Sequence, residues 1–264
     1  MQAQESFRKQ AVRAAYGWGR QESWADALAL LRSAAEAGED EAERELQLVS
    51  QAPIERMIDA PPMKMVSDTS QIAVSRGFAP PGFSEWLIDH ARERLVDAKV
   101  NEAEGSAGGL RTARDCAFGP KQRDLVLAVM QKRAERLLGI PVNCHEPPNA
   151  LSYEPGQLFD LHADFIDPRP PEYQAELRAL GQRTATIVTY LNEDYESGET
   201  VFPNAGVKFR GQTGDAMLWV NVLPDGSPDY RTMHQALPPT SGRKWVLSQW
   251  IRSKPFPYRP EDLA

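Results

Sequence analysis

The 264-residue chain contains four histidines. One of them, His162, lies in the stretch "LFDLHADF" with a carboxylate, Asp164, two positions further on. Alternate residues of a β-strand project to one face, so in an extended segment His162 and Asp164 point together while Ala163 turns away. An imidazole beside a carboxylate is two-thirds of the 2-His-1-carboxylate set, which binds a non-haem ferrous ion and leaves coordination positions open. A third ligand has to come from a later strand, and "DYRTMHQALPPTSGRKW" supplies His234. The remaining histidines are poorer candidates: His90 lies in the helical "WLIDHARERL" and His145 in the turn-like "VNCHEPPN". A His-x-Asp alone is more often a surface or capping pair than a ligand pair. Lys244 strengthens the reading. It stands ten residues after His234 and opens the strand-like "WVLSQWI". An ammonium there is a compact point charge able to meet the far carboxylate of a dicarboxylate bound to the metal. The alternative for Lys244 is a solvated edge charge, but the aromatic-rich run after it favours an inward position.

These side chains need a β-rich scaffold. From about residue 147 short apolar runs alternate with Gly, Pro and Asn turns, as in "RTATIVTYLNE", "ESGETVFP" and "VKFRGQTGDAMLWVNV". Such punctuation indicates a β-sandwich or jelly roll. Before it, "QIAVSRGFAPPGFSEWLIDHARERLVDAKV" reads strand, turn, helix, with Phe83, Leu87, Ala91 and Leu95 on one stripe. "KQRDLVLAVMQKRAERLLGIPV" is an amphipathic helix burying Leu125, Val129, Ala134 and Leu137, with Gly139 near its end. The segment 167–182, "DPRPPEYQAELRALGQ", is too polar and proline-rich for a sheet and reads as a lid or loop with a helical turn.

Residues 1–52 are helical in character, with Trp24, Leu28, Leu31 and Ala35 on one face, Leu46 and Val49 on a second helix, and Gly38 between them. This resembles one tetratricopeptide-like helix pair. A solenoid needs about three repeats, so a helical extension packed on the main domain is preferred to a docking module for a protein partner. Residues 53–70, with Pro53, Pro61 and Pro62, form the expected linker, and 71–264 the main domain. The fold class expected is α+β, a helix-flanked jelly-roll core with an N-terminal helical extension.

Composition narrows the partners. A net charge of -7 argues against nucleic acid, which demands a dense basic surface. Cys116 and Cys144 form no close-spaced motif and suggest a reducing compartment without a disulfide framework. No apolar run of about 18 residues offers a membrane span, and the first residues lack the apolar core of a signal peptide. The expected address is the cytoplasm.

Four blocks, "YEPGQLFDLHAD", "RTATIVTYLNEDYESGETVFP", "GDAMLWVNVLPDGSPDYRTMH" and "PPTSGRKWVLSQWIRS", give residues 71–253 a resemblance to the Fe(II)/2-oxoglutarate dioxygenases of the prolyl 4-hydroxylase, collagen-type family. Their order and spacing match as well as their letters. The resemblance implies a double-stranded β-helix with His162, Asp164 and His234 on Fe(II) and Lys244 on the far carboxylate of 2-oxoglutarate. It further implies that Tyr153 helps hold the cosubstrate, that Thr186 lines the same pocket, and that Trp250 stands near the site mouth. For each of these three the structural alternative is an ordinary core or sheet residue. The resemblance also implies O2 as the co-oxidant, ascorbate as a supporting reductant, and succinate and CO2 as the coproducts. Related halogenases lack the carboxylate ligand, so Asp164 favours hydroxylation. The chain departs from the family at Ser197, where glycine usually precedes "GET", and in the length of 167–182.

The leading function is hydroxylation of a prolyl residue in a peptide or protein, with a free amino acid or other small molecule as the alternative substrate. A non-catalytic interaction protein, docking through the N-terminal helices, has no use for the complete His162, Asp164, His234 and Lys244 set. A metal hydrolase or cupin isomerase has no use for Lys244.

Overall fold

The computed structural model describes residues 5–98 and 111–258. Three helices open the chain: α1 (Phe7–Tyr16), α2 (Trp24–Glu36) and α3 (Ala42–Val49). The sequence indicated the last two, with Gly38 at φ 70° in the break between them. It gave little signal for α1, whose buried face is Ala11, Val12, Ala14 and Ala15. The small apolar side chains sit in an otherwise polar stretch and give little apolar signal, and α1 exists because α2 packs on that alanine face. The Ser6 side chain caps its start, and Gly17 ends it at φ 68°.

The proline-bearing segment 53–70 holds a single helical turn, α4 (Ile54–Met57), and a short strand, β1 (Met63–Met65), which pairs antiparallel with β2 (Ile72–Ser75). Helix α5 (Phe83–Arg92) follows, then strands β3 (Val96–Asp97) and β4 (Arg114–Ala117), and helix α6 (Leu125–Leu138). Asp124 caps α6 through Leu127 N at 2.7 Å, and Gly139 closes it at φ 68°. Helices α1, α2 and α3 share one apolar core with α5 and α6, including Leu31, Trp86, Leu87, Leu125 and Val129. Each fully buried side chain of this size stabilises the fold by about 1.5–3 kcal/mol relative to exposure.

The remaining strands are β5 (Asn149–Tyr153), β6 (Phe159–His162), β7 (Arg183–Tyr190), β8 (Tyr195–Ser197), β9 (Thr200–Phe202), β10 (Val207–Phe209), β11 (Ala216–Val220), β12 (His234–Ala236), β13 (Pro239–Gly242) and β14 (Lys244–Arg252). They form an eight-stranded sheet in the order β1-β2-β11-β7-β14-β5-β4-β3, a four-stranded sheet β10-β9-β12-β6, and the pair β13-β8. Strand β14 is buried along its whole length. Its Trp245, Leu247 and Ile251 join the core shared with the helices. Its Lys244, Val246, Ser248 and Trp250 line a cavity between the sheets. The two-residue period of a strand thus separates packing from chemistry on one element.

Segment 167–182 carries a 3-10 turn, Pro171–Tyr173, and helix α7 (Gln174–Leu180). Its end is tied down where the Gln182 side chain exchanges hydrogen bonds of 2.6 and 2.7 Å with the Ile166 backbone. Arg252 of β14 pairs with Glu176 on α7, and Lys254 Nζ donates to Arg178 O at 2.7 Å.

Candidate metal centre and cosubstrate cavity

His162 is the last residue of β6, and His234, the first of β12, lies directly opposite it in the antiparallel pair. Their ring centroids are 4.2 Å apart. Asp164 lies beyond the strand, in the bend that follows, so the same-face rule for strands is not what aligns it with His162. The bend nevertheless brings its carboxylate to 3.9 Å from His162 Nε2 and 3.8 Å from His234 Nε2. One ligand atom from each of the three lies within 4.8 Å of the others, and all three residues are buried.

The tautomers follow from the backbone. His162 Nδ1 sits 2.7 Å from Asp160 O, and His234 Nδ1 3.0 Å from Thr232 O. A carbonyl can only accept, so each Nδ1 carries the proton and each Nε2 presents a lone pair to the centre. Burial, reinforced by the neighbouring His234, pushes His162 down to about 3. Burial likewise lowers His234. For Asp164 burial acts upward, but His234, His162 and a Thr186 hydrogen bond together hold the carboxyl below its ordinary range. Neutral imidazoles and an ionised carboxylate are the state that takes a divalent cation. Two imidazoles and one carboxylate suit ferrous iron with open positions.

Lys244 enters the same cavity from β14, paired in register with Tyr153 of β5. Only 1% of it is exposed. Its Nζ donates to Gly198 O at 2.7 Å and sits 5.2 Å from the Tyr153 ring and 5.7 Å from the Tyr190 ring. It makes no ion pair among the described residues. Burial pushes its pKa down to about 7, against a partial upward pull from Glu199. A buried ammonium with no carboxylate partner is costly. A dicarboxylate in the cavity would relieve that cost. Tyr153, Trp219, Val246 and Trp250 are among the walls of this cavity, beside the three candidate ligands and Lys244.

The structure brings Tyr153 and Trp250 to the cavity wall, with the Arg183 guanidinium 4.4 Å from the Trp250 ring. Thr186 is placed differently from the expectation. It is fully buried and does not line the cavity; its Oγ1 donates to Asp164 Oδ2 at 2.7 Å. From β7 it reaches the bend after β6 and so supports a candidate ligand instead of touching cosubstrate. His90 is engaged elsewhere, 2.8 Å from Glu41 Oε2, and His145 Nε2 faces Ile140 O at 3.2 Å.

Sequence reasoning missed Asn221, whose Nδ2 donates to Thr186 Oγ1 at 3.0 Å. It also missed Glu146, which accepts from Arg183 at 2.7 and 3.0 Å behind Trp250. Asn221 lies inside the block "MLWVNVLPDG", but no spacing rule distinguishes an asparagine at a strand end. Ser197 holds φ 60°, the left-handed conformation that glycine adopts freely. The turn it completes presents the Gly198 carbonyl to Lys244.

The family described as the 2OG-Fe(II) oxygenase superfamily matches residues 148–252. The chain is 30% identical over 210 residues to prolyl 4-hydroxylase 1 of Arabidopsis thaliana, covering 72% of this chain and 72% of that protein. It is 31% identical over 179 residues to prolyl 4-hydroxylase subunit alpha-1 of Rattus norvegicus, covering 66% of this chain and 33% of the relative. The chain therefore spans about a third of the length of the alpha-1 subunits it matches. A viral collagen prolyl hydroxylase from Paramecium bursaria Chlorella virus-1, solved as a 2OG complex, superposes with a TM-score of 0.55 at 26% identity, over 72% of this chain and 99% of that one. With the blocks around His162, His234 and Lys244 inside the matched region, the chain belongs to the prolyl 4-hydroxylase family of 2OG-Fe(II) oxygenases.

Proposed function

We propose that this protein is an Fe(II)- and 2-oxoglutarate-dependent dioxygenase that hydroxylates a prolyl residue in a peptide or protein. The observation that carries the reading is one cavity lined by three convergent ligand side chains and by a buried lysine that makes no ion pair among the described residues. His162, Asp164 and His234 would hold the metal, and Lys244 the far carboxylate of 2-oxoglutarate, with Tyr153 beside it. The bound metal and cosubstrate supply the oxidising chemistry, releasing succinate and CO2. The chain's own residues supply position and dryness. Phe159 stacks on His162 with centroids 3.5 Å apart, and Trp219 meets His234 edge-on at 4.6 Å. These rings fix the imidazoles and keep water from the centre. No side-chain general base is required.

The prolyl target is supported by the relatives, which are prolyl 4-hydroxylases by name, and by the collagen-type blocks "WVNVLPDGSPD" and "GRKW". The core reads as the double-stranded β-helix that the resemblance implies, with the ligand strands β6 and β12 in its smaller sheet. Two unpaired, buried cysteines suit a reducing compartment such as the cytoplasm, and ascorbate suits the role of auxiliary reductant. A second substrate reading, a free amino acid or other small molecule, draws on segment 167–182, whose α7 is fastened to Arg252 and Lys254 and which would act as a lid on a closed pocket. The test is succinate release from 2-oxoglutarate with Fe(II) and O2, with and without proline-rich peptides, followed by mass spectrometry. Turnover with a +16 shift on peptide supports the prolyl reading; turnover that oxidises no peptide moves the substrate to small molecules.

A further inference from the structure

We propose that Asn221 is a positioning residue for the metal centre, acting through Thr186 to commit Asp164 to bind the ion through Oδ1 alone. The inference rests on the metal-centre reading above. Asp164 Oδ2 accepts from Thr186 Oγ1 at 2.7 Å, and no hydrogen bond reaches Oδ1 among the described residues. A threonine hydroxyl has a single proton. Asn221 Nδ2 donates to the same Oγ1 at 3.0 Å, which occupies an oxygen lone pair and leaves the hydroxyl proton directed at Asp164. Without that second bond the hydroxyl could rotate away. Both carboxylate oxygens would then compete for the ion and take a position needed by cosubstrate or O2.

Asn221 is fully buried, and its own Oδ1 has no hydrogen-bond partner. A buried polar side chain that leaves one atom unpaired carries a cost; here its other atom is spent on the ligand support. Its backbone extends the same support to a second ligand. Asn221 O accepts from Asp229 N at 2.9 Å, Asp229 O accepts from Thr232 Oγ1 at 2.7 Å, and Thr232 O faces His234 Nδ1 at 3.0 Å. One residue just past the end of β11 therefore braces Asp164 through its side chain and His234 through its main chain.

The test is anaerobic Mn(II) titration by calorimetry, with the Co(II) absorption spectrum as a signature of coordination. Asn221→Ala and Thr186→Val should each weaken Mn(II) binding by about 10–100-fold and alter the Co(II) spectrum. Thr186→Ser, which keeps the hydroxyl, should restore both. The double variant Asn221→Ala/Thr186→Val should bind no more weakly than Thr186→Val alone, because Asn221 acts through Thr186. Wild-type affinity and spectrum in folded Thr186→Val, or additive losses in the double variant, would overturn the proposal while leaving the metal centre standing. Failure of the wild-type protein to take up metal would overturn the metal centre and this proposal with it. Should Asn221→Ala not fold, Asn221→Leu, which keeps the volume and removes the Nδ2 donor, takes its place, and wild-type affinity and spectrum in that variant would overturn the proposal.

Discussion

Where the N-terminal helices meet α6, Glu45 and Asp124 are as deeply buried as the residues of the cavity. There every carboxylate oxygen has a donor. Glu45 accepts from Leu125 N at 2.6 Å and from Arg8 Nε; Asp124 accepts from Leu127 N and Trp86 Nε1, both at 2.7 Å. Burial, with Asp124's charge added, pushes Glu45 up to about 7, and burial raises Asp124. In the cavity the opposite holds. Among the described residues the two Nε2 atoms and Asp164 Oδ1 have no hydrogen bond, and Lys244 has one carbonyl. Both regions bury charge, but only the cavity leaves it open toward a common centre. Internal satisfaction marks a structural joint, and convergent unsatisfied groups mark a binding site.

The sharpest way to break this contrast is to remove a ligand. His162→Ala or His234→Ala should abolish metal uptake and turnover while leaving thermal stability near wild type; calorimetry and melting curves check both halves. Next, Lys244→Ala should raise the 2-oxoglutarate requirement by about 100–1,000-fold, keep metal binding, and not lower the melting temperature of the unloaded protein. Lost metal with unchanged cosubstrate affinity would reverse the assigned roles.

At the junction the pattern should invert. Glu45→Ala strands Arg8 and the Leu125 N–H, and should cost about 2–4 kcal/mol in urea unfolding with kcat/KM for 2-oxoglutarate unchanged. The smallest effect is one of pH. The Lys244 ammonium titrates near 7 in the unloaded cavity, and a bound carboxylate raises that value. Above pH 7 cosubstrate binding must then take up a proton. Affinity should fall by up to about tenfold per pH unit there and level off below 7. A Lys244→Ala variant should lose the dependence, as binding curves across pH 6–9 would show.

The same contrast explains what was legible in the sequence. His162, His234 and Lys244 were readable because β-strands and blocks of fixed spacing carry them, and a strand's two-residue period announces its inward side chains. Asp164 was named for a reason the structure modifies: a bend, not a strand, turns it toward the histidines. Thr186 was named as a pocket wall and is a brace under Asp164, because its partner lies in a bend more than twenty positions away in sequence. Asn221, Glu146 and the Glu45–Asp124 joint act through long-range partners, so no local pattern signals them. Helix α1 was covered only by the general helical reading of residues 1–52 and not singled out, because its buried face is small alanines in a polar stretch. Strand β1 was hidden by the prolines around it and exists through its pairing with β2.

The most direct test of the account is calorimetric titration of 2-oxoglutarate into anaerobic protein with and without Mn(II). One molar equivalent bound tightly with metal, weakly without it, and lost in Lys244→Ala is the expected result. Binding that ignores the metal, or survives loss of Lys244, would contradict a single cavity shared by metal and dicarboxylate.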